Sequence, residues 1–506
     1  MNTSEATATH PPPSPSDDQE RTVDVAIIGG GISGIGTAIA LRAAGLGDVL
    51  VLERAAELGG TWRDNTYPGC ACDIPSVIYS YPFAPNPDWT RVFAERAEIQ
   101  EYVLRTAREH GVPSVTSLNT EVLEARWDDQ SARWRLRTST GPVVARVVVL
   151  AAGPLHEPVL PDVPGLARFQ GTMFHSARWR HDHDLGGERV AVIGTGASAG
   201  QFVPRIQRQA ASVTVFQRTP PWVMPKLDWR IGRLQRAALR RIPMLQRLAR
   251  LAVWAGLDAM ILVTHHRRLA ALVQPVARWN LRRGISDPAM RRAVTPRYTI
   301  GCKRVLISND YYPALAQDNV RLVPHAVREI RERSVVDVTG TEHDVDTIIF
   351  GTGFHVTDLP IAERVRGIAG RSLAEVWDGS PRAYKGTTIS GFPNAFMLFG
   401  PNIGTASAFV MLDAQLTYVV DALRTMRERG WTAVDVRPEA QARDKARVDA
   451  RLRRSAWNAG GCTSYYLDAK GANASVFPGT MLRMKRVLSQ FDAEAYDTRT
   501  RAAVAP

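Results

Sequence analysis

Two short glycine turns, each set between an apolar strand and a helix, constrain this chain more than any other feature. The first, GGGISG, places Gly29, Gly31 and Gly34 in G-x-G-x-x-G register after VDVAIIG, and the second, GTGASA, places Gly194, Gly196 and Ala199 in that register after RVAVIG. Such a turn lets backbone approach a pyrophosphate at the N-terminus of the next helix, and its third small residue lets that helix pack against the strand. Alanine is small enough for that position. A glycine turn alone reads as an ordinary tight bend; a strand before it and a helix after it make it a dinucleotide site. The expected fold class is α/β, with two Rossmann-like dinucleotide-binding units.

The residue 24 positions after the first glycine of each turn separates the two ligands: Glu53 ends DVLVLE, and Arg218 ends SVTVFQR. A carboxylate there accepts a hydrogen bond from a ribose 2'-hydroxyl, whereas a guanidinium suits a 2'-phosphate. The first site therefore reads as FAD and the second as NADPH. A hydrogen bond to a charged group contributes roughly 1.5–3 kcal/mol, so Arg218 could favour NADPH over NADH by about tenfold to a hundredfold. The plainer alternative for Arg218 is a solvated surface charge.

At 506 residues, 45% hydrophobic and 22% charged, the composition is that of a soluble globular chain of about three domains. Cys70, Cys72, Cys302 and Cys462 are too few and scattered for a disulfide framework, and no histidine cluster gives them metal-ligand spacing. No metal site is expected, and a reducing, cytoplasmic setting fits. Residues 1–20 are polar and rich in Pro and Ser, without the basic start and apolar stretch of a secretory signal, so a disordered tail is expected.

The net charge of +13 is concentrated in one segment: between Lys226 and Arg297 stand 15 Arg and one Lys against Asp228, Asp258 and Asp287, which accounts for the whole excess. These arginines alternate with aliphatic residues at roughly helical spacing and form no nucleic-acid-binding motif, which disfavours nucleic acid and predicts a helical insert. Its basic face is either simply solvated or a weak peripheral contact with a membrane or an acidic partner, helped by LARLAVWAGLDAMILV. That run is only 16 residues long and contains Arg250 and Asp258, which argues against a spanning helix. The expected organisation is an FAD unit over 21–155 and 388–506, an NADP unit over 156–225 and 299–387, and the basic insert over 226–298.

Flavin with NADPH leaves the electron acceptor open. A disulfide reductase needs a redox cysteine pair beside the flavin, but Cys70 and Cys72 are one residue apart, too small a ring for an easy disulfide. Oxygen or a carbonyl compound is the better acceptor. GGTWRDNTYPGCACD (59–73) fits G-G-x-W-x4-[FY]-P-G-x3-D at each defined position, and FQGTMFHSARWR (169–180) fits F-x-G-x3-H-x3-W through Trp179. With FGTGF (350–354) and GCKRVLISNDYYPAL (301–315), these blocks resemble the class B flavoprotein monooxygenases, and within them the type I Baeyer-Villiger monooxygenases, over nearly the whole chain after the tail.

That resemblance implies insertion of one oxygen atom from O2 next to a ketone carbonyl, giving an ester or lactone through a flavin peroxide. Arg304 then has a physical task, because a fixed guanidinium favours an ionised peroxide and the tetrahedral adduct. In the same terms Asp73 pairs with and orients Arg304 near the flavin, and Lys303, Arg218 and Thr219 hold the 2'-phosphate. Thr61, Trp62 and Tyr79 fall at the flavin, although Trp62, Tyr67 and Tyr79 would also serve as core aromatics. His175 falls in a linker between the nucleotide units, where it would couple their motion rather than transfer a proton. CTSYYLDAKGANASVFPG (462–479) resembles a mobile loop over NADP, with Tyr465 where a tryptophan is common. Arg180 stands where the family usually has Pro or Asp, and related N- and S-oxidising enzymes carry Lys or Arg there, so oxygenation of amines or sulfides stays open as the alternative.

Overall fold

The computed structural model of the chain describes residues 20–500; the tail expected over 1–20 lies outside them except for Glu20. The β-branched runs before the glycine turns form strands buried on both faces, the environment of a parallel sheet. Strand Arg21–Ile28 lies inside an eight-stranded sheet between Val49–Leu52 and Gly141–Leu150, parallel to both, with Val25 opposite Val49 and Val147. Helix Ile32–Ala43 supplies the crossover that parallel neighbours require. Val122–Asp128 and Arg133–Thr138 extend this sheet antiparallel, and Trp134, Leu136 and Thr138 are buried in alternation, as for a strand with one face on the core. Late in the chain Ala395–Met397 returns to pair with the end of Gly141–Leu150.

A second sheet has five parallel strands in the order Val320–Val323, Ser212–Phe216, Arg189–Ile193, Thr347–Phe350 and Thr172–His175. The strand before the second glycine turn is therefore central here. Both turns leave the carboxyl ends of their strands, where open α/β sheets bind ligands.

One expected boundary needs correction. Residues up to 387 were expected in the NADP unit, but Val365–Arg366 pairs with Ala125 and Arg126 of the first sheet. Val365, Leu373, Trp377 and Ala383 are buried in the same core as Trp134 and Val148. The chain has thus returned to the first sheet before residue 388. A strand of two residues carries no periodicity by which to find it.

Within 226–298 the chain forms helices Arg233–Arg241, Pro243–His265, Arg267–Gly284 and Pro288–Ala293. Two polar residues inside the long apolar run fix it to the body. Arg250 donates to the Val77 carbonyl, the Ser80 hydroxyl and the Ser80 carbonyl, each at 3.1 Å. Asp258 accepts from the backbone N–H of Met481 at 2.7 Å and of Leu482 at 3.2 Å. Among the described residues no helix is long and apolar enough to cross a membrane.

Two glycine-to-alanine changes should have opposite signs. A Cβ at Gly34 would lie 1.9 Å from the Gly29 carbonyl oxygen, whereas Gly256, inside helix Pro243–His265, has nothing within 4 Å. Gly34→Ala should destabilise by about 1–3 kcal/mol or more through overpacking. Gly256→Ala should stabilise by roughly 0.5–1 kcal/mol through helix propensity. Urea unfolding of both variants checks the pair.

Candidate active site

The first glycine turn is closed where a side chain would collide and open where a ligand could approach. Gly29 has φ +111°, and a Cβ there would sit 2.6 Å from the Ala151 carbonyl oxygen. At Gly31 the nearest atom to such a Cβ is the Gly60 Cα at 3.6 Å, so two segments without side chains face each other. Glu53 is buried behind them: its Oε2 accepts from the Gly30 N–H at 2.7 Å and its Oε1 from the Ala55 N–H at 2.9 Å.

Arg63, which no motif singled out, also reaches Glu53 Oε1 at 3.2 Å and pairs with Asp64 at 2.7 Å. Burial would raise the Asp64 carboxyl, yet hydrogen bonds from His156 and Arg63 hold it at about 2. Arg96 clasps the same turn by donating to the carbonyls of Trp62 and Arg63.

A cavity of about 560 Å³ opens beside this turn. Gly29, Gly31 and Glu53 reach its wall, as do Thr61, Trp62 and Tyr79, and so do Asp73, Lys303 and Arg304. Gly34 lies behind the turn and serves packing. The Trp62 indole N–H donates to the Tyr79 hydroxyl at 3.2 Å, with the rings edge to face at 5.6 Å, and Tyr79 meets Phe409 edge-on at 4.9 Å. These aromatics are core and cavity wall at once.

Asp73 and Arg304, 231 residues apart in sequence, meet on this wall. Arg304 Nε and Nη2 both donate to Asp73 Oδ2, at 2.8 and 2.5 Å. The Arg304 side chain is 38% exposed and lines the cavity, so the guanidinium is fixed on one side and accessible on the other. The nearby Asp73 carboxylate raises the Arg304 pKa well above its ordinary value and outweighs the opposing effect of burial. Tyr465 and Tyr466 complete this part of the wall, Tyr465 being largely exposed.

The second turn has the same backbone logic away from this cavity. Gly194 has φ +110°, a Cβ there would meet the Gly351 carbonyl oxygen at 2.4 Å, and Ala199 is fully buried where its helix meets the sheet. Gly196 has open space around it, and the Thr195 hydroxyl donates to the Thr219 carbonyl at 3.3 Å, tying the turn to the residue after Arg218. Arg218 is exposed and lies close enough to Lys303 that burial and repulsion from Arg218 both lower the lysine pKa. Neither cation belongs to an ion pair among the described residues. Two neighbouring cations outside any ion pair are the chemistry that a phosphate dianion requires.

Cys70 and Cys72 are buried free thiols, raised by burial to about 11 and to a higher value still, which leaves them unsuited to redox exchange. Cys302 and Cys462 form a disulfide, which the cysteine count does not suggest. It joins the segment bearing Lys303 and Arg304 to the one bearing Tyr465 and Tyr466. Arg180 is turned away: it pairs with Asp182 at 2.7 Å in a separate depression and does not line the main cavity.

The chain matches the family model described as pyridine nucleotide-disulphide oxidoreductase over residues 26–249. It is 48% identical over 478 residues to a Baeyer-Villiger monooxygenase of Streptomyces coelicolor, covering 94% of this chain and 92% of that protein. It is 44% identical over 504 residues to a Baeyer-Villiger monooxygenase of Pseudomonas aeruginosa, covering 99% and 95%. Among solved structures, an oxidized steroid monooxygenase bound to NADP matches with TM-score 0.83 at 29% identity, over 94% of this chain and 99% of that one. The OTEMO complex with FAD and NADP matches with TM-score 0.85 at 26% identity, over 95% and 100%.

His175 ends the edge strand of the second sheet, buried, with its Nδ1 accepting from the Ala177 N–H at 3.1 Å and its ring edge-on to Phe354 at 5.6 Å. Burial, reinforced by Arg178, lowers its pKa from 6.5 to about 4. It is therefore neutral at pH 7. Because the unfolded chain takes up the proton first, stability should be full above pH 6.5 and fall by on the order of 3 kcal/mol as pH drops toward 4. Urea unfolding of the wild type and of His175→Phe at pH 7 and 4.5 checks this, the variant losing less stability between the two.

Proposed function

The chain belongs to the Baeyer-Villiger monooxygenases, and from that premise we propose that Arg304 and Asp73 are the catalytic pair of its cavity. The enzyme is an FAD- and NADPH-dependent flavoprotein that inserts one oxygen atom from O2 next to a ketone carbonyl, giving an ester or lactone. The relatives support this reaction and not the oxygenation of amines or sulfides.

In this proposal FAD is held by Gly29, Gly31 and Glu53 with Thr61, Trp62, Asp73 and Tyr79, while Gly34 packs the turn that presents them. Gly31 and Gly60 both line the cavity with bare backbone, which lets such a ligand approach the chain closely. NADPH is held by Gly194, Gly196, Arg218 and Thr219, with Lys303 and Arg304, while Ala199 packs the helix against the sheet behind the turn. When bound, FAD would supply the transfer of electrons from NADPH to O2.

The remaining steps belong to the protein. Arg304 offers a fixed positive charge where negative charge develops on oxygen as the carbonyl is attacked, and a preorganised donor in a water-poor site is worth more there than in water. Asp73 holds the guanidinium in place and charged. Trp62 and Tyr79 close the wall behind it against water. The substrate we assign is a small-molecule ketone, and the setting cytoplasmic, with weak peripheral membrane contact through the arginine-rich insert.

The observation that carries this reading is the Asp73–Arg304 pair on the cavity wall. A cyclic ketone and an alkyl sulfide offered side by side test it: ester or lactone by product mass, with NADPH and O2 consumed together, is expected, and oxidation of the sulfide alone would contradict it. Arg218→Ala should raise KM for NADPH by about tenfold to a hundredfold while leaving that for NADH nearly unchanged. Steady-state kinetics with both cofactors read this directly, and a parallel rise in the two would place the phosphate contact elsewhere.

A further inference from the structure

Helices Pro243–His265 and Arg267–Gly284 pack against each other, and each buries only one side. The inward side of the first is fixed by Arg250 and Asp258, as described above. Its outward side carries Met244, Leu248, Leu251 and Leu262, exposed by 57, 55, 63 and 52%. Exposed Ala255 and Ala259 continue that row at steps of three or four. On the second helix Leu269, Leu272, Val276 and Trp279 form a matching row, exposed by 42, 71, 42 and 53%. Single exposed leucines are ordinary, but two adjacent apolar rows form a patch of the kind that marks an interaction site.

The charge around the patch selects its occupant. Arg247, Arg268, Arg278, Arg282 and Arg283 are exposed beside the rows, and the Arg283 guanidinium lies over the Trp279 ring at 5.6 Å. The acids of the segment are engaged elsewhere: Asp228 with Arg91, Asp258 with the Met481 N–H, and Asp287 capping its own helix. A second copy of the chain would set this positive face against itself. Apolar rows framed by arginine suit an anionic bilayer, where leucines enter the acyl boundary and guanidinium groups reach lipid phosphates.

Met260 ties the patch to the cavity, since it is 44% exposed and also lines the cavity wall together with Ile261. We propose that the outward face of these two helices docks on an anionic lipid bilayer, with Met260 at the lipid side of the cavity. The substrate so delivered would be a lipophilic ketone, a point that rests on the reaction proposed above; the docking rests on the patch alone.

The test uses FAD-loaded enzyme with vesicles of phosphatidylcholine containing phosphatidylglycerol, and with vesicles of phosphatidylcholine alone. Wild type should sediment with the anionic vesicles and little with the neutral ones. The combined variant Leu248→Gln, Leu272→Gln and Trp279→Gln should lose about tenfold or more of that partition. Both proteins should oxidise a water-soluble ketone equally, while kcat/KM for a long-chain ketone delivered in anionic vesicles falls in the variant. Absence of anionic-vesicle binding, equal binding to neutral vesicles, or unchanged binding of the variant overturns the proposal. So does a vesicle-free dimer of the wild type that the variant abolishes, since a second copy then covers the face. Vesicle binding by an enzyme that gives no ester from the soluble ketone would sink the ketone reading and leave the docking supported.

Discussion

One ion pair organises the site. Asp73 closes the fingerprint that follows the first glycine turn, and Arg304 lies just beyond the helical insert, so their contact ties together segments that the sequence keeps far apart. Two guanidinium nitrogens share one carboxylate oxygen, and Nη1 has no hydrogen-bond partner among the described residues. Most surface ion pairs contribute little, because water screens them and two long side chains must be held still. Here the carboxylate is mostly covered and the guanidinium opens onto a cavity rather than the outer surface, so the contact both orients a charge and keeps it available.

The surrounding architecture serves that placement. The first sheet brings Gly29, Gly31 and Glu53 to one side of the cavity, while the Thr61–Asp64 turn, clasped by Arg96, sets Trp62 beside Tyr79. The insert contributes Met260 and Ile261 to the wall because Arg250 and Asp258 fasten its long helix to the body. Lys303, adjacent to Arg304, lies close to Arg218, so one of the two cations proposed to hold the 2'-phosphate is the chain neighbour of the residue proposed for chemistry. The disulfide between Cys302 and Cys462 fastens this same segment to the tyrosines opposite.

What could be read from the sequence was local and tightly spaced. Gly29, Gly34 and Gly194, with Ala199, occupy places where backbone geometry or close packing limits size, and with the bare backbone at Gly31 and Gly196 between them such limits leave a fixed register. Glu53 and Arg218 follow at a constant offset because one helix and one strand separate them from their turns. The boundary near 365 was hidden because a two-residue strand has no period, and the cysteine pair because 160 residues of intervening fold decide the contact. Arg63 and Met260 were equally invisible, since their roles come from packing between elements and not from a motif. Arg180 shows the reverse: it was prominent by its place in a motif, yet its side chain turns to Asp182 and has no part in the cavity.

The role of the Arg304 charge is read from the coupling of NADPH consumption to product in Arg304→Ala. With the guanidinium removed, reduction of the flavin by NADPH in a single turnover should remain measurable while the ester formed per NADPH falls to background. An unchanged ester yield would mean that the charge at position 304 does not stabilise the reacting oxygen.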